Sequence, residues 1–143
     1  MANTCYYELR AIGDKQGIEA LLSSLDKIGT TASKFYRVWK FYTDKGVEEM
    51  PNNKYLLDGY GDCAWSVNDT FMKCENDTLP YIQYLSKYYG LLIEIVSEEV
   101  GMLFTEHIII DKGDICTDET RDIYSVENKD SEDTIVGTYP LTI

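Results

Sequence analysis

The chain has 143 residues, of which 44% are hydrophobic and 13% aromatic, and its formal net charge is −12. This composition excludes a disordered chain and indicates a single domain, residues 1–143, long enough to bury a sizeable core. No stretch approaches the roughly 20 apolar residues of a membrane span, and no basic-then-apolar signal peptide opens the sequence, so we expect a cytoplasmic protein.

The first half of the sequence predicts a strand, a helix and two further strands. β-Favouring residues open the chain, and glycines and prolines mark its turns. The elements predicted here are strand 4–12, a helix from Asp14 to Gly29, strand 33–43, loop 44–53, strand 54–65 interrupted by Gly59 and Gly61, and a short helix or turn at 68–74. The apolar stripe of the helix recurs at helical spacing and should be nearly fully buried. It consists of Ile18, Leu21, Leu22 and Leu25.

The second half begins with a second helix, with Thr78 as its predicted N-cap and Gly90 as its end. Its buried stripe should be Ile82, Leu85 and Tyr89. The elements that follow are strand 91–97, a break at Gly101, strand 102–110, a turn at 112–114, strand 115–117, and two weaker strands at 123–126 and 134–138. Along strand 102–110 the apolar residues predicted to share one face are Met102, Phe104, Ile108 and Ile110.

The resulting order, β-α-β-β-α-β-β-β, predicts the fold class α+β. Two helices that each carry one apolar stripe are buried most economically on one face of an antiparallel sheet. The first six elements match the order of a ferredoxin-like core, and the remainder forms a C-terminal β extension that is acidic from about residue 112.

The negative charge is concentrated in one part of the sequence. Residues 98–133 contain twelve acids and three bases and so carry −9 of the net charge. Such a segment attracts a partner with a basic surface and repels nucleic acid phosphate. We therefore predict a partner-binding acidic face. Its candidate residues are Glu98, Glu99, Glu106, Asp114, Asp118, Glu119 and Asp122.

Two enzyme-like alternatives depend on few residues. Cys63 could act as a nucleophile with His107, the sole histidine, oriented by Asp62 or Glu106. The carboxylates near Gly101 (Glu98, Glu99 and Glu106) could bind a divalent cation. The favoured interpretation is that Cys63 is a small buried residue and that these carboxylates form a solvated edge. The four cysteines are far apart, which indicates reduced thiols, and we expect no metal and no cofactor.

A third alternative is an RNA-binding module built on residues 34–42, where lysines and arginine alternate with aromatic residues. Single-stranded nucleic acids stack their bases on such rings and place their phosphates near such cations. The net charge of −12 disfavours this alternative, so we expect no direct contact with nucleic acid.

Two segments resemble a known group of proteins. The first is Gly-Asp-Cys-Ala-Trp-Ser-Val at 61–67, and the second is the Ser-Glu-Glu-x-Gly-Met-x-Phe-x-Glu-His pattern at 97–107. Together they are similar to the YubB-like ferredoxin-fold group of small phage and mobile-element proteins, over roughly residues 55–113. In that group proline is usual where Val100 stands here. The resemblance implies a mobile-element origin and a ferredoxin-like core, and it implies no catalytic residues.

These observations favour a binding protein over an enzyme. We expect an accessory protein of a phage or mobile element that inhibits a nucleic-acid-directed host defence system, of the anti-CRISPR or anti-restriction type. Its acidic surface would occupy a basic site on a host protein, one that normally holds nucleic acid.

Overall fold

The computed structural model of the chain describes residues 2–74, 78–127 and 133–143. Within these residues the chain has an α+β fold, as predicted, with a seven-stranded antiparallel sheet, two α-helices and a separate two-stranded sheet. The elements are β1 (Thr4–Gly13), α1 (Lys15–Leu25), β2 (Val38–Tyr42), β3 (Val47–Glu49), β4 (Tyr55–Ala64), α2 (Tyr81–Tyr89), β5 (Leu92–Glu99), β6 (Phe104–Asp111), β7 (Asp114–Asp122), β8 (Tyr124–Glu127) and β9 (Asp133–Val136).

The large sheet has the strand order β2-β4-β1-β5-β6-β7, and β3 also pairs with β4. β1 lies near the centre, where Leu9 is opposite Gly59 of β4 and Ile95 of β5. Successive side chains of a strand point to opposite faces, so the buried odd-numbered residues of β1 define the face that the helices cover. These residues are Cys5, Tyr7, Leu9 and Ala11.

Both helices pack into the same core against this face of the sheet. A hydrogen bond of 3.1 Å between the hydroxyls of Ser24 in α1 and Tyr81 in α2 links them. The predicted stripes are buried at most of their positions, but Leu22 and Tyr89 are only partly buried. The fully or almost fully buried members are Ile18, Leu21, Leu25, Ile82 and Leu85.

The strand predicted over 33–43 is shorter in the structure. Only Val38–Tyr42 is extended, because Arg37 has a φ of 54°, in the left-handed region that breaks a strand. A register shift between Val38 and Lys40 adds a second irregularity. The predicted alternation of 34–42 is therefore lost, and Phe35 turns into the core against Phe71 and Tyr81.

Other boundaries also differ from the prediction. The loop predicted over 44–53 contains the short strand β3 and a single 3₁₀ turn, Pro51–Asn53. The second helix begins at Tyr81 with Pro80 as its N-cap, so the predicted cap at Thr78 was wrong. Met102 lies in the turn before β6 and is 69% exposed, which removes it from the predicted apolar face.

Gly59 and Gly61 do not interrupt β4, which continues through both positions. A Cβ atom at Gly61 would collide with the main-chain oxygen of Lys40 on β2, so this glycine permits the close approach of the neighbouring strand. The strand predicted at 115–117 extends over the whole of β7. The two weaker strands predicted near the C-terminus pair with each other as β8 and β9.

Part of the second face of the sheet is covered by the C-terminal segment, which we define as residues 137–143. Its main-chain and side-chain groups bond to Thr105, Glu94 and Arg10, which lie on β6, β5 and β1. β5 and β6 are consequently buried on both faces over most of their length, whereas Tyr6 and Glu8 of β1 are exposed on the second face. Among the described residues, no helix combines the length and the apolar character needed to cross a membrane.

The buried stripe of α2 makes a quantitative prediction. Leu85 is 3% exposed, and Leu85→Ala should lower the free energy of unfolding by about 2–5 kcal/mol through lost burial and a residual cavity. Met102→Ala, at the exposed turn, should change it by less than about 0.5 kcal/mol. Urea denaturation followed by circular dichroism measures both, and equal effects would show that α2 does not pack as described.

Candidate functional site

Glu106 is a buried carboxylate that fixes the loop after β4. It is 1% exposed and lies on the helix-covered face of β6. The backbone N–H of Val67 donates to its Oε1 at 2.7 Å, and the backbone N–H of Asn68 donates to its Oε2 at 3.0 Å. The Asn68 side-chain amide (2.8 Å) and the Ser97 hydroxyl (2.7 Å) also donate to it. With a fifth hydrogen bond from the Cys5 thiol, these contacts let Glu106 hold residues 67–68 against the sheet.

The two buried cysteines lie beside this carboxylate. Cys5 and Cys63 are directly opposite each other on β1 and β4, and both are fully buried. The pKa of Cys5 is strongly raised by its hydrogen bond with Cys63, by burial and by the nearby charges. The Cys5 thiol is therefore protonated, and it lies 3.8 Å from the Glu106 carboxylate, to which it donates.

Cys63 and His107 do not form a nucleophile pair. Cys63 shares the helix-covered face with Cys5 and Glu106, whereas His107, the next residue after Glu106, points to the opposite face of the sheet. β4 and β6 are also separated by β1 and β5. Neither Asp62 nor Glu106 orients the histidine. The alternative based on this pair was therefore wrong in its geometry.

The partner of His107 is Glu94, on the second face of the sheet. His107 Nε2 lies 2.5 Å from Glu94 Oε2, and the two residues are diagonal neighbours on β6 and β5. Glu94 is fully buried and accepts three further hydrogen bonds from the C-terminal segment. They come from the Thr142 N–H (2.7 Å), the Thr142 hydroxyl (2.6 Å) and the Ile143 N–H (3.1 Å).

Tyr139 packs between His107 and Arg121 and anchors the other end of this segment. Its ring centroid is 5.2 Å from that of His107 and 3.9 Å from the guanidinium carbon of Arg121. Arg121 also donates to the main-chain oxygen of Gly137 at 2.8 Å. The C-terminal segment is thus held by an aromatic–cation stack at one end and by a carboxylate at the other.

These contacts shift the titration of Glu94. Burial raises the pKa of its carboxyl, but the hydrogen bonds from Thr142, His107 and the backbone N–H of Ile143 together outweigh burial and hold the pKa below its ordinary value of 4.5. The ionised form of Glu94 therefore stabilises the folded chain.

In the structure, the residues of the predicted acidic face do not all lie on one surface. Glu99 and Glu106 are each 1% exposed and so cannot contribute to a surface. Glu98 is partly exposed but lies on the second face of β5, two strands from the sheet edge. The four members that remain together are exposed on β7, the edge strand. They are Asp114, Asp118, Glu119 and Asp122.

The carboxylates near Gly101 do not converge on a cation site. Glu99 accepts hydrogen bonds from the N–H groups of Gly101 (2.8 Å) and Met102 (2.6 Å), which fixes the turn between β5 and β6. Glu106 is occupied by the 67–68 loop, and Glu98 points to the other face. In the parts of the chain that the structure describes, no three His, Cys, Asp or Glu side chains are arranged to hold a metal ion.

The aromatic and basic segment 34–42 is largely at the surface. Phe35 and Val38 are buried, but Tyr36, Trp39 and Tyr42 are 42%, 39% and 50% exposed. Its exposed residues are therefore available to a ligand at the edge of the sheet opposite β7.

The sequence analysis missed Glu94 and the C-terminal segment. A charged residue inside the apolar run Leu91–Ile95 was a signal that this position meets a polar partner, since an unpaired carboxylate is rarely buried. The identity of that partner could not be inferred, because Thr142 is 48 residues away in the chain.

Comparison of the chain with protein families, with curated proteins and with solved structures finds no match.

The hydrogen bonds of Glu106 predict a large effect of a small change. Glu106→Gln replaces one acceptor oxygen by a donor amide, although each oxygen accepts from a backbone N–H, and it should destabilise the fold by about 2–4 kcal/mol. Asp118→Asn, an equivalent charge loss on exposed β7, should cost less than about 0.5 kcal/mol. Hydrogen exchange should also accelerate at Val67 and Asn68 in the Glu106 variant, and unchanged exchange there would contradict the assigned role.

The lowered pKa of Glu94 predicts a pH dependence. Since the folded-state pKa lies below that of the unfolded chain, the stabilisation is complete above about pH 5 and disappears as the pH falls through the folded-state value. Glu94→Gln should therefore be less stable than the parent at neutral pH, and the two stabilities should converge in acid. Thermal unfolding at a series of pH values tests this, and a constant difference would refute it.

Proposed function

We propose that this chain acts by binding a protein with a basic surface through its edge strand β7. The observation that carries the proposal is the exposure of β7 on both faces: every residue of Asp114–Asp122 except Thr117 is exposed. Four of these residues are acidic, and the one base, Arg121, is occupied by Tyr139 and Gly137. Within β7, no other cation accompanies these carboxylates.

The position of β7 at the edge of the sheet adds a second means of recognition. In the described residues β7 pairs only with β6, so its outer backbone N–H and C=O groups have no strand partner. A partner strand can add to such an edge through main-chain hydrogen bonds, while charge selects the partner. An acidic edge strand favours a basic partner strand or a basic channel.

The proposed partner is a nucleic-acid-directed host defence enzyme, of the CRISPR or restriction type. Such enzymes hold nucleic acid in basic channels, which the carboxylates of β7 complement in sign. The proposal also rests on the resemblance of 61–67 and 97–107 to small phage and mobile-element proteins, and it places the chain in the cytosol of a host cell.

A ferredoxin-like core is part of this proposal. β1 and β2 flank β4, and β4 and β5 flank β1, so the two units β1-α1-β2 and β4-α2-β5 interleave in the sheet. This interleaving is what supports the assignment. β6 and β7 would then be an extension whose outer strand is the binding edge.

The proposal is tested by removing charge from β7. In the triple variant Asp118→Asn, Glu119→Gln, Asp122→Asn, association with purified host nucleases should be about tenfold slower at low salt, with a smaller change in dissociation. The matched control is Asp14→Asn, Glu19→Gln, Asp26→Asn, because these three acids are exposed and lie at or beside α1. The control should associate like the parent.

Two further results decide the mechanism. Raising the salt concentration from about 0.05 M to about 0.3 M should slow association of the parent more than that of the β7 variant, since screening weakens the charge attraction. Nucleic acid should compete with the chain for the nuclease. A β7 variant that binds as fast as the parent, or a nuclease that keeps its own duplex nucleic acid bound while it holds the chain, would overturn the proposal.

A further inference from the structure

A groove of about 940 Å³ lies at the start of α2, between this helix, residues 33–37 and residues 70–73. The buried rings of Phe35 and Phe71, whose centroids are 5.3 Å apart, form part of its lining and belong to the hydrophobic core. Its floor is therefore rigid, while its sides are made of exposed polar and aromatic side chains. This site is on a different part of the molecule from β7.

The charge of the groove is opposite to that of the whole chain. Lys34, Arg37 and Lys73 line it, and no acidic residue among the described ones does so. The N-terminal end of α2 borders the groove through Leu79 and Tyr81. The positive end of a helix dipole favours an anion. The groove is therefore suited to an anionic ligand.

Aromatic rings line the same groove. Tyr81 and Tyr84 are nearly parallel, at 18° and 6.1 Å, and Tyr84 and Tyr88 continue the stack at 25° and 5.8 Å. Tyr84 lies in the middle of this stack, whereas Tyr36 is 42% exposed and outside it. A planar ligand ring can stack on Tyr36.

Cations and rings alternate in space within the groove. The ammonium of Lys34 is 5.4 Å from the Tyr81 ring centroid, and that of Lys73 is 5.2 Å from the Tyr36 ring centroid. Each cation is thus positioned near the ring surface instead of in bulk solvent. A nucleotide combines a planar base and a phosphate, so it can contact both a ring and a cation of this groove.

We propose that this groove binds single-stranded nucleic acid over two to three nucleotides, with a base on Tyr36 and phosphates beside Lys34, Arg37 and Lys73. The net charge of −12 led to the opposite expectation from the sequence, but the acids are concentrated elsewhere and none of the described ones lines this groove. Three phosphate contacts predict a slope of log affinity against log salt of about −2.

The test uses fluorescence anisotropy with a labelled oligouridylate of about six nucleotides and the full chain. Lys34→Gln with Lys73→Gln, and separately Tyr36→Leu, should each weaken binding about tenfold. The controls are Lys27→Gln with Lys45→Gln, which removes equal charge outside the groove, and Tyr42→Leu, which removes an exposed ring elsewhere. Both controls, and the neutralised β7 variant, should bind the oligonucleotide at least as tightly as the parent.

Three results would overturn the proposal. They are the absence of saturable binding below about 1 mM, equal weakening by the groove and control variants, and equal affinity for a duplex or for uridine monophosphate. Circular dichroism confirms that each variant is folded. Because the β7 variant retains the groove, a failure of nuclease binding and a failure of oligonucleotide binding are distinguishable.

Discussion

The burial of three carboxylates in the β5–β6 hairpin is the constraint on which the rest of the structure depends. An ionised carboxylate removed from water is strongly unfavourable unless hydrogen-bond donors surround it. Here each carboxylate obtains its donors from a segment without regular structure. Glu99 is bonded to the turn at 101–102, Glu106 to the loop at 67–68, and Glu94 to residues 142–143. The hairpin thereby fixes one segment on each face of the sheet and also fixes its own turn.

This arrangement explains why two polar residues, Glu106 and His107, are adjacent on β6, which packing alone does not explain. Glu106 and His107 are neighbours on β6, so their side chains leave opposite faces of the sheet and meet different partners. The first organises the loop after β4, and the second contacts Glu94 and Tyr139 beneath the C-terminal segment. In the turn that precedes them, the hydrogen bonds that Glu99 accepts from Gly101 and Met102 fix the backbone.

β5 and β6 are covered on both faces, and the two proposed recognition surfaces lie at the periphery of the molecule. The acidic strand β7 lies at one edge of the sheet, and the basic, aromatic segment 34–42 lies at the other. The two surfaces differ in sign because β7 carries four acids, whereas Lys34, Arg37 and Lys73 line the groove at the start of α2. A scaffold that separates charge in this way can present one surface to a basic protein and another to an anionic strand, which is what the two proposals state.

The sequence by itself determined the elements whose signals are local. Apolar periodicity identified both helices, and Gly90 marked the end of α2, because these depend on neighbours within a few residues. Charge density also indicated the acidic surface, although it could not separate the exposed Asp118 from the buried Glu106. That distinction depends on donors supplied by Val67 and Asn68, nearly 40 residues away. Likewise, the pairing of His107 with Glu94 and the covering of the second face by Tyr139 and Thr142 were decided only by the tertiary structure, because a carboxylate is buried where distant chain segments bring enough N–H and O–H groups to it.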